Sequence, residues 1–319
     1  MISFKRSRIL SVGAYVPDTI ITNRDFETFL DTSDEWIVTR TGIRERHIVP
    51  RGSSVRVSEL GTNAARIALE RAGIAPEQVD GIICATVTPD TLYPSTACTL
   101  QAKLGCKNAF AFDLLAACAG FIYSLSLANS MILSGHAKTL LVVGAEILTK
   151  TVDWTDRATC ILFGDGAGAV VVQGTNEDEG ILSTCLGSDG THGDILTFSP
   201  WGENRFMHMQ GNDVYKYAVR FITKIGQKAV AAAGLTLADI DLLIPHQANI
   251  RIIKAVGEQL HIPPEKVVTN LERYGNTSSA SIPLVLNEAW GEGRIKKGTK
   301  VLFATLGGGL AYAGAVVRF

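Results

Sequence analysis

The chain alternates short apolar runs with longer helical patterns. A helical pattern begins at Ser58 and runs to Arg71, and Gly73 follows it, a residue type that commonly ends helices. Other runs are rich in aliphatic and aromatic residues and have the length of buried strands; they cover residues 79–87, 109–114, 139–143 and 167–173. Strands that alternate with helices in this way predict an α/β fold.

Similar segments recur at a nearly constant offset along the chain. Gly73 and Gly234 each end a helical pattern shortly before an apolar run, and they lie 161 positions apart. Cys118 and Asn276 each follow a short strand-like segment, and they lie 158 positions apart. One interpretation is that any two strand–helix units look alike. The other is an internal duplication.

A duplication divides the chain into two similar α/β halves, residues 1–173 and 174–319. Equivalent loops of the two halves then face each other across a pseudo-twofold axis. Under this hypothesis Cys118 and Asn276 meet at one site, with His246 nearby.

Composition and charge restrict the classes of function. The 319 residues are too many for one simple core, and 46% hydrophobic with 19% charged residues is typical of a globular protein. The formal net charge of −1 creates no overall field that attracts nucleic acid or an anionic membrane. No leader-like or membrane-spanning apolar stretch is visible, and the six cysteines form no C-x-x-C pair. We expect a reduced, cytoplasmic protein without a metal site.

Cys118 stands between a predicted strand and an apolar helix over residues 119–133. The helix is apolar nearly all round, which predicts burial at the centre of the molecule. The positive end of its dipole favours a thiolate and predicts a pKa below the usual value of roughly 8.5. Small neighbours, Ala116, Ala117, Ala119 and Gly120, would let a substrate reach the sulfur. The alternative is a core cysteine, as we expect for the other five.

His246 and Asn276 are the other candidates for chemistry. His246 follows an apolar run, at the carboxyl end of a predicted strand, where α/β sheets hold their ligands. Asn276 lies in a polar turn. Each also has a simpler interpretation, a satisfied core histidine and an asparagine that caps a helix or turn. The residues by themselves leave both interpretations open.

Three motifs together resemble a known family. Residues 118–121, 246–249 and 275–278 match, in order and spacing, the Cys, His and Asn motifs of β-ketoacyl-acyl-carrier-protein synthase III, a thiolase-fold condensing enzyme. Further segments shared with that family are residues 34–43, 163–169 and 307–309. The resemblance covers essentially the whole chain. It implies a thiolase-like fold of two similar halves, built in five layers, α-β-α-β-α.

The resemblance implies a decarboxylative Claisen condensation of a short acyl-CoA with malonyl-acyl carrier protein. The expected acyl-CoA is acetyl-CoA, and the reaction initiates fatty acid biosynthesis. Cys118 would carry the acyl group, and the backbone N–H groups of Cys118 and Gly308 would form the oxyanion hole. His246 and Asn276 would donate hydrogen bonds to the enolate oxygen. Elongating relatives have a second His or a Cys in place of the asparagine, so Asn276 favours the initiating branch. No metal or redox cofactor is implied.

The same resemblance assigns CoA contacts. Trp36 and Arg157 would sandwich the adenine, although Trp36 could also be a half-buried surface residue. Arg40 would meet the CoA phosphates or the pantetheine linkage. Asn249 would bond the pantetheine arm, and Gly211 would line the tunnel.

The family forms homodimers, and the resemblance implies one here. Tyr93 occupies the place of an aromatic residue, often Phe, that reaches into the acyl pocket of the partner subunit. Arg251, Lys216 and Lys254 could form a basic patch for an acidic carrier protein, or they could be scattered solvated charges.

Two other functions stay open at this point. A specialised starter-unit synthase for a secondary metabolite would use the same Cys, His and Asn. A catalytically silent subunit that only binds a carrier protein is the second alternative. The complete set of Cys118, His246 and Asn276 argues against it, because a silent subunit does not need all three.

Overall fold

The computed structural model describes residues 4–201 and 205–319. In these residues the strands are β1 (Arg6–Tyr15), β2 (Ile20–Thr22), β3 (Glu45–His47), β4 (Gly81–Ala85), β5 (Phe110–Leu114), β6 (Thr139–Ile147), β7 (Asp165–Thr175), β8 (Gly180–Ser188), β9 (Leu196–Thr197), β10 (His208–Met209), β11 (Leu242–Pro245), β12 (Lys300–Gly307) and β13 (Ala311–Arg318). The helices are α1 (Asn23–Glu27), α2 (Asp34–Thr41), α3 (Val57–Ala72), α4 (Thr96–Leu104), α5 (Gly120–Leu133), α6 (Gly211–Ala232), α7 (Ile250–Gln259), α8 (Leu271–Tyr274) and α9 (Ser281–Gly291).

Two sheets form the body of the molecule. The first has the order β1-β7-β6-β4-β5 and the second has the order β11-β12-β13-β8. In each sheet a single strand, β7 or β13, runs against the direction of the others. Val267 adds one parallel bridge to Leu243 of β11, at the position that corresponds to the fifth strand of the first sheet.

Helices cover both faces of both sheets. Helices α3 and α4 pack on the outer face of the first sheet, and α6 packs on the outer face of the second, with α7 against it. Helices α5 and α9 lie between the sheets. The layers are therefore α-β-α-β-α, and the predicted α/β class and five-layered architecture are confirmed.

Helix α5 lies at the centre because its sequence offers almost no polar face. Phe121, Ile122 and Leu125 have no exposed surface, and α5 contacts strands of both sheets. Burying side chains of this size stabilises the fold by roughly 1.5–3 kcal/mol each. The helix predicted over residues 119–133 therefore ends where predicted and begins one residue later, at Gly120.

The strand predictions hold with small shifts of their ends. The run at 79–87 contains a strand of only five residues, Gly81–Ala85, while the run at 139–143 continues as a buried strand to Ile147. The helix predicted to end near Gly73 does so, with Gly73 in the left-handed conformation at φ 64°.

The matching strand orders support the proposal of two equivalent halves. Strands β1, β7, β6 and β4 of the first sheet correspond in order and direction to β8, β13, β12 and β11 of the second. Strand β7 continues to Thr175, two residues past the proposed boundary at 173, and β8 begins at Gly180. We therefore propose that the connection between the halves is residues 176–179.

In the two stretches that the structure describes, none of the helices combines the length and apolar character needed to cross a bilayer.

Candidate active site

Cys118 lies in a tight turn between β5 and α5. The turn is a short 3-10 helix, Ala117–Ala119, and Ala117 has a φ of 46°, which is unusual for a residue with a side chain. Cys118 is partly exposed, whereas four of the other cysteines are buried and Cys98 is exposed on the surface. Backbone conformations of this kind concentrate at functional sites, where surrounding structure enforces them.

Strand β12 of the second half holds this turn in place. The hydroxyl of Thr305 donates a hydrogen bond to the carbonyl oxygen of Cys118 at 3.0 Å. A Cβ on Gly307 would lie 2.6 Å from the backbone nitrogen of Cys118, so a glycine is required for this approach. Gly308, the predicted oxyanion donor, is the next residue after Gly307. Its role in the oxyanion hole stays a prediction.

The expected low pKa of the nucleophile is wrong. Burial is the main cause that raises the pKa of the Cys118 thiol to about 11; the Ser278 side chain acts in the lowering direction and the nearby charge of Glu146 in the raising direction. Removal of water from the buried sulfur disfavours the charged thiolate, so the resting site favours the thiol.

One turn of the second half, residues 276–281, lies against the Cys118 turn and contacts His246. The short segments Ala117–Ala119 and Ser278–Ala280 pack against each other. Ser281, the first residue of α9, is hydrogen-bonded through its hydroxyl to Nδ1 of His246 at 2.7 Å. The three predicted catalytic residues, far apart in the chain, thus belong to one connected group.

His246 is a neutral imidazole with a defined orientation. The residue is 2% exposed, and burial lowers the pKa of its imidazole to about 3. The Ser281 oxygen also accepts a long hydrogen bond from the Gln247 backbone N–H at 3.4 Å, and Nδ1 is the acceptor toward which its hydroxyl can donate. We therefore assign the imidazole proton to Nε2, which makes that atom a donor.

The Asn276 amide is oriented by its neighbours in the turn. Its Oδ1 accepts a hydrogen bond from the backbone N–H of Ser278 at 2.8 Å. Its backbone is held by Leu162 and Gly164, through Asn276 N–H to Leu162 O at 2.8 Å and Gly164 N–H to Asn276 O at 3.0 Å. Because the oxygen side of the amide is engaged, Nδ2 is the group left to donate.

Sequence reasoning missed three residues of this site, Glu146, Ser278 and Ser281. Glu146 is a carboxylate in an otherwise apolar strand, which is a visible signal, because ionisable residues are almost never fully buried without a reason. The two serines belong to a polar turn in which no residue stands out by its pattern. Only the fold shows which hydroxyl contacts which partner.

Trp36 has guanidinium groups beside its ring. The guanidinium carbons of Arg40 and Arg157 lie 4.3 and 4.7 Å from the ring centroid. Arg157 also bonds Asp31, through its carbonyl and through its carboxylate at 3.7 Å. To hold an adenine between them, the Trp36 ring and the Arg157 guanidinium must be roughly 7 Å apart, which is two stacking distances. Arg157 would therefore have to move outward. The grouping of Trp36, Arg40 and Arg157 on one surface is as expected.

Asn249 and Gly211 lie at helix starts. Asn249 caps α7, since its Oδ1 accepts from the Arg251 N–H at 2.9 Å, and its Nδ2 donates to the carbonyl of Arg40 at 3.0 Å. This side chain therefore joins α7 to the end of α2. Gly211 is exposed and opens α6. Their predicted contacts with the pantetheine arm and the tunnel stay predictions.

Tyr93 is 87% exposed and its neighbour Leu92 is 63% exposed. The segment lies beside the end of β5, because the Asp113 carboxylate accepts hydrogen bonds from Thr96 and Ala97 at 2.7 Å. An exposed tyrosine beside an apolar neighbour is compatible with the predicted insertion into a second subunit.

The predicted basic patch is only partly assembled by the structure. Arg251, Lys216 and Lys254 are all exposed. The guanidinium carbon of Arg251 lies 5.4 Å from the Tyr215 ring, which brings the starts of α6 and α7 together. Lys254 is three residues after Arg251 on α7, and residues at that spacing share a helix face.

Throughout residues 4–201 and 205–319, no group of three or more His, Cys, Asp or Glu side chains is arranged to hold a metal ion.

Comparisons with known proteins agree with this geometry. Residues 112–190 match the family model of 3-oxoacyl-[acyl-carrier-protein] synthase III, and residues 230–319 match the model of its C-terminal part. A β-ketoacyl-[acyl-carrier-protein] synthase III of Xanthomonas campestris is 49% identical, over 98% of both chains. The crystal structure of the Aquifex aeolicus enzyme has a TM-score of 0.94 at 46% identity, covering 98% of this chain and 100% of that one. The priming β-ketosynthase of the R1128 polyketide pathway has a TM-score of 0.94 at 36% identity, with 100% and 98% covered.

Proposed function

Because this chain belongs to the 3-oxoacyl-[acyl-carrier-protein] synthase III family, we propose that it joins a short acyl-CoA to malonyl-acyl carrier protein through an acyl thioester on Cys118. The enzyme is a condensing acyltransferase that initiates fatty acid biosynthesis. The observation that supports the residue assignment is the turn at 276–281, which carries Asn276, packs against the turn of Cys118 and is hydrogen-bonded to His246 through Ser281.

In the first half-reaction the sulfur of Cys118 attacks the thioester carbon of the acyl-CoA. The bond between that carbon and the CoA sulfur breaks, CoA leaves as the thiol, and the acyl group stays on the enzyme. The tetrahedral oxyanion needs fixed donors, for which we propose the backbone N–H groups of Cys118 and Gly308. The contact of Gly307 with the Cys118 nitrogen brings these two segments together.

In the second half-reaction the malonyl group loses carbon dioxide, and negative charge develops on its thioester oxygen. The Nε2–H of His246 and the Nδ2–H of Asn276 donate to that oxygen. Burial keeps the pKa of His246 at about 3, and an amide does not titrate, so neither donor changes its charge near neutral pH. The carbanion then attacks the acyl carbon, the bond between that carbon and the Cys118 sulfur breaks, and the sulfur leaves as a thiolate that takes up a proton from solvent.

The proposed substrate preference is acetyl-CoA. With malonyl-acyl carrier protein as acceptor, we expect kcat/KM for acetyl-CoA to exceed that for isobutyryl-CoA and longer acyl-CoAs by about tenfold or more, because extra methyl groups must fit the same pocket. The profile is measured by following formation of the 3-ketoacyl carrier protein.

The same experiment separates the alternatives. A preference for a larger starter would favour a specialised starter-unit synthase. Radiolabelled acetyl-CoA that leaves no label on the protein would favour a silent subunit.

We propose that Trp36, Arg40 and Arg157 hold the adenine end of CoA. Replacing Trp36 with Ala removes a stacking surface worth about 1–3 kcal/mol per base, so we expect KM for acetyl-CoA to rise roughly tenfold with kcat nearly unchanged. Acetyl-pantetheine, which has no adenine, serves as the control substrate and should be used equally well by both proteins. An equal loss with both substrates would contradict the stacking role.

A homodimer is proposed from the edge of the first sheet. Strand β5 is the last strand of that sheet in the described residues, and an edge strand offers unpaired backbone groups to another chain. Leu115, directly after β5, is 78% exposed. Together with Leu92 and Tyr93 it forms an apolar surface around this edge, which a second copy of the chain would cover.

The carrier protein is proposed to dock near the starts of α6 and α7. Arg251, Lys216 and Lys254 supply positive charge there, although the net charge of the whole chain is −1. A local patch of this kind steers an acidic partner and fixes its orientation, more than it adds affinity. Asn249 links this patch to Arg40, through its hydrogen bonds with the backbones of Arg251 and Arg40.

A further inference from the structure

Arg46 is the largest fully buried side chain of the described residues, and the mechanism above gives it no role. It lies in the middle of β3. Within residues 4–201 and 205–319 it forms no ion pair with an Asp or Glu side chain. Burial of a charged group without an opposite charge is costly, so other contacts must compensate the guanidinium.

Uncharged oxygens and an aromatic ring surround the guanidinium. Its Nε and Nη2 both donate hydrogen bonds to the carbonyl oxygen of Ile161, from Nε at 3.2 Å, and its Nη1 donates to Oδ1 of Asn23 at 2.7 Å. Its central carbon lies 4.7 Å from the centroid of the Phe26 ring. Burial lowers the pKa of Arg46 to about 9, so the group is protonated near neutral pH. These contacts use the planar fork that only an arginine offers.

Asn23 connects the guanidinium to both ends of helix α2. The side chain of Asn23 is buried, and its Nδ2 donates to Oδ1 of Asp34 at 2.7 Å and to the carbonyl oxygen of Ile43 at 2.8 Å. Asp34 is the first residue of α2, and Ile43 follows the residue that caps its end. Arg46 is therefore anchored to the helix that carries Trp36.

Ile161, the other partner, begins a stretch of backbone that pairs with Asn276. The Asn276 N–H donates to the carbonyl oxygen of Leu162 at 2.8 Å, and the Gly164 N–H donates to the carbonyl oxygen of Asn276 at 3.0 Å. Phe163 and Asn276 form a parallel bridge between these bonds. The peptide unit that Arg46 holds is thus the neighbour of the one that holds the Asn276 backbone.

The aliphatic stem of Arg46 packs against the same stretch from the side. A Cβ on Gly275, the residue before Asn276, would lie 3.1 Å from Cγ of Arg46 and 2.8 Å from the carbonyl oxygen of Leu162. A Cβ on Gly164 would lie 3.2 Å from Cβ of Arg46. Gly275 has a φ of 63°, a conformation that side chains disfavour. The two glycines therefore let the stem reach the backbone that carries Asn276.

We propose that Arg46 is a positioning residue, which holds the backbone of Asn276 so that its Nδ2 meets the malonyl thioester oxygen during decarboxylation. The inference rests on the proposed function, in which Asn276 donates to that oxygen. Arg46 acts through Ile161 and the neighbouring peptide units and touches no substrate. Among the described residues it has no hydrogen bond with Cys118 or His246, so acylation of the sulfur should depend on it much less.

The test compares the two half-reactions in Arg46→Lys. Lysine keeps the positive charge and most of the stem, but its single nitrogen cannot replace the fork that bonds Ile161 and Asn23 together. A displacement of the donor by a fraction of an ångström should lower release of labelled carbon dioxide from malonyl-acyl carrier protein by about tenfold. Single-turnover acylation of Cys118 by acetyl-pantetheine should stay within about twofold of the natural rate constant, on the same argument.

Arg44→Lys is the matched control. Arg44 lies two residues earlier in the chain and is exposed, so the same exchange removes a guanidinium without touching the buried contacts. Both rate constants should stay at the natural level in this variant. Equal losses of acylation and decarboxylation in Arg46→Lys would show general structural damage and overturn the positioning role.

A double-mutant cycle with Asn276→Ala shows whether Arg46 acts through Asn276. If it does, Arg46→Lys should change decarboxylation by less than about twofold once the amide is gone, because the two losses are not additive. A tenfold loss that persists in the Asn276→Ala background would overturn the inference.

Asn23→Ala carries the test if Arg46→Lys does not fold. It removes one acceptor of the guanidinium and the link to α2, and it leaves the bonds to Ile161 in place. We expect a smaller loss of decarboxylation, about threefold, which should again disappear in the Asn276→Ala background. A loss that remains there would count against the positioning role. A natural protein that forms no acyl-enzyme with acetyl-CoA would refute the proposed function, and the inference about Arg46 would fall with it.

Discussion

Replacing Cys118 with Ser should abolish the acyl-enzyme and lower condensation by roughly 10⁴-fold or more, the scale of losing a nucleophile. The serine hydroxyl is a weaker nucleophile and holds its proton far more tightly than a thiol. It differs from the thiol by one atom of similar size, so the fold should be unaffected. Mass spectrometry after mixing with acetyl-CoA measures the acyl adduct directly.

The matched control for this result is Cys98→Ser. Cys98 is exposed in α4 and, in the described residues, is the one other cysteine that is not buried. Its replacement should leave both the acyl adduct and the rate of condensation at the natural level. An adduct that persists in Cys118→Ser and disappears in Cys98→Ser would place the nucleophile elsewhere.

Replacing Asn276 or His246 with Ala should instead block the second half-reaction alone. Each residue supplies one donor to the developing negative charge, and loss of such a donor costs about 10²–10³-fold in rate. Release of labelled carbon dioxide from malonyl-acyl carrier protein measures that step. Acyl transfer to Cys118, measured by mass spectrometry, should stay substantial in both variants.

Ser281 refines this prediction. The Ser281→Ala variant keeps the imidazole but removes the hydroxyl that directs its Nδ1, so decarboxylation should fall less than in His246→Ala. Ser281→Thr, which keeps a hydroxyl, should recover part of the loss. Condensation at the natural rate in Asn276→Ala would show that the amide is not a donor to the malonyl oxygen.

Much of the fold could be predicted because its elements have strong local patterns. The apolar helix after Cys118 and the run at 139–143 contain few polar residues, so burial on all sides follows from composition. Strand ends were less predictable, since β4 is shorter than its apolar run. A strand ends where the neighbouring strand no longer offers backbone hydrogen bonds, and hydrophobicity does not determine that point.

The chemistry of the site could be predicted only in part. The motifs around Cys118, His246 and Asn276 indicated the correct family. The direction of the Cys118 pKa was wrong, because a helix terminus is visible in sequence whereas the loss of water around the sulfur is not. Contacts such as that of Ser281 with His246 join residues 35 positions apart, and no local sequence pattern predicts them.

The reactive cysteine lies in the turn directly before α5, the helix that both sheets enclose. Catalysis therefore depends on the folded state of the whole molecule. Opening of α5 would expose Phe121, Ile122 and Leu125 from the central layer, which amounts to unfolding the protein. The nucleophile therefore belongs to the region that exchanges its amide protons last. On heating, we expect enzymatic activity to be lost over the same temperature range in which the protein unfolds. At lower temperatures there should be no folded but inactive protein.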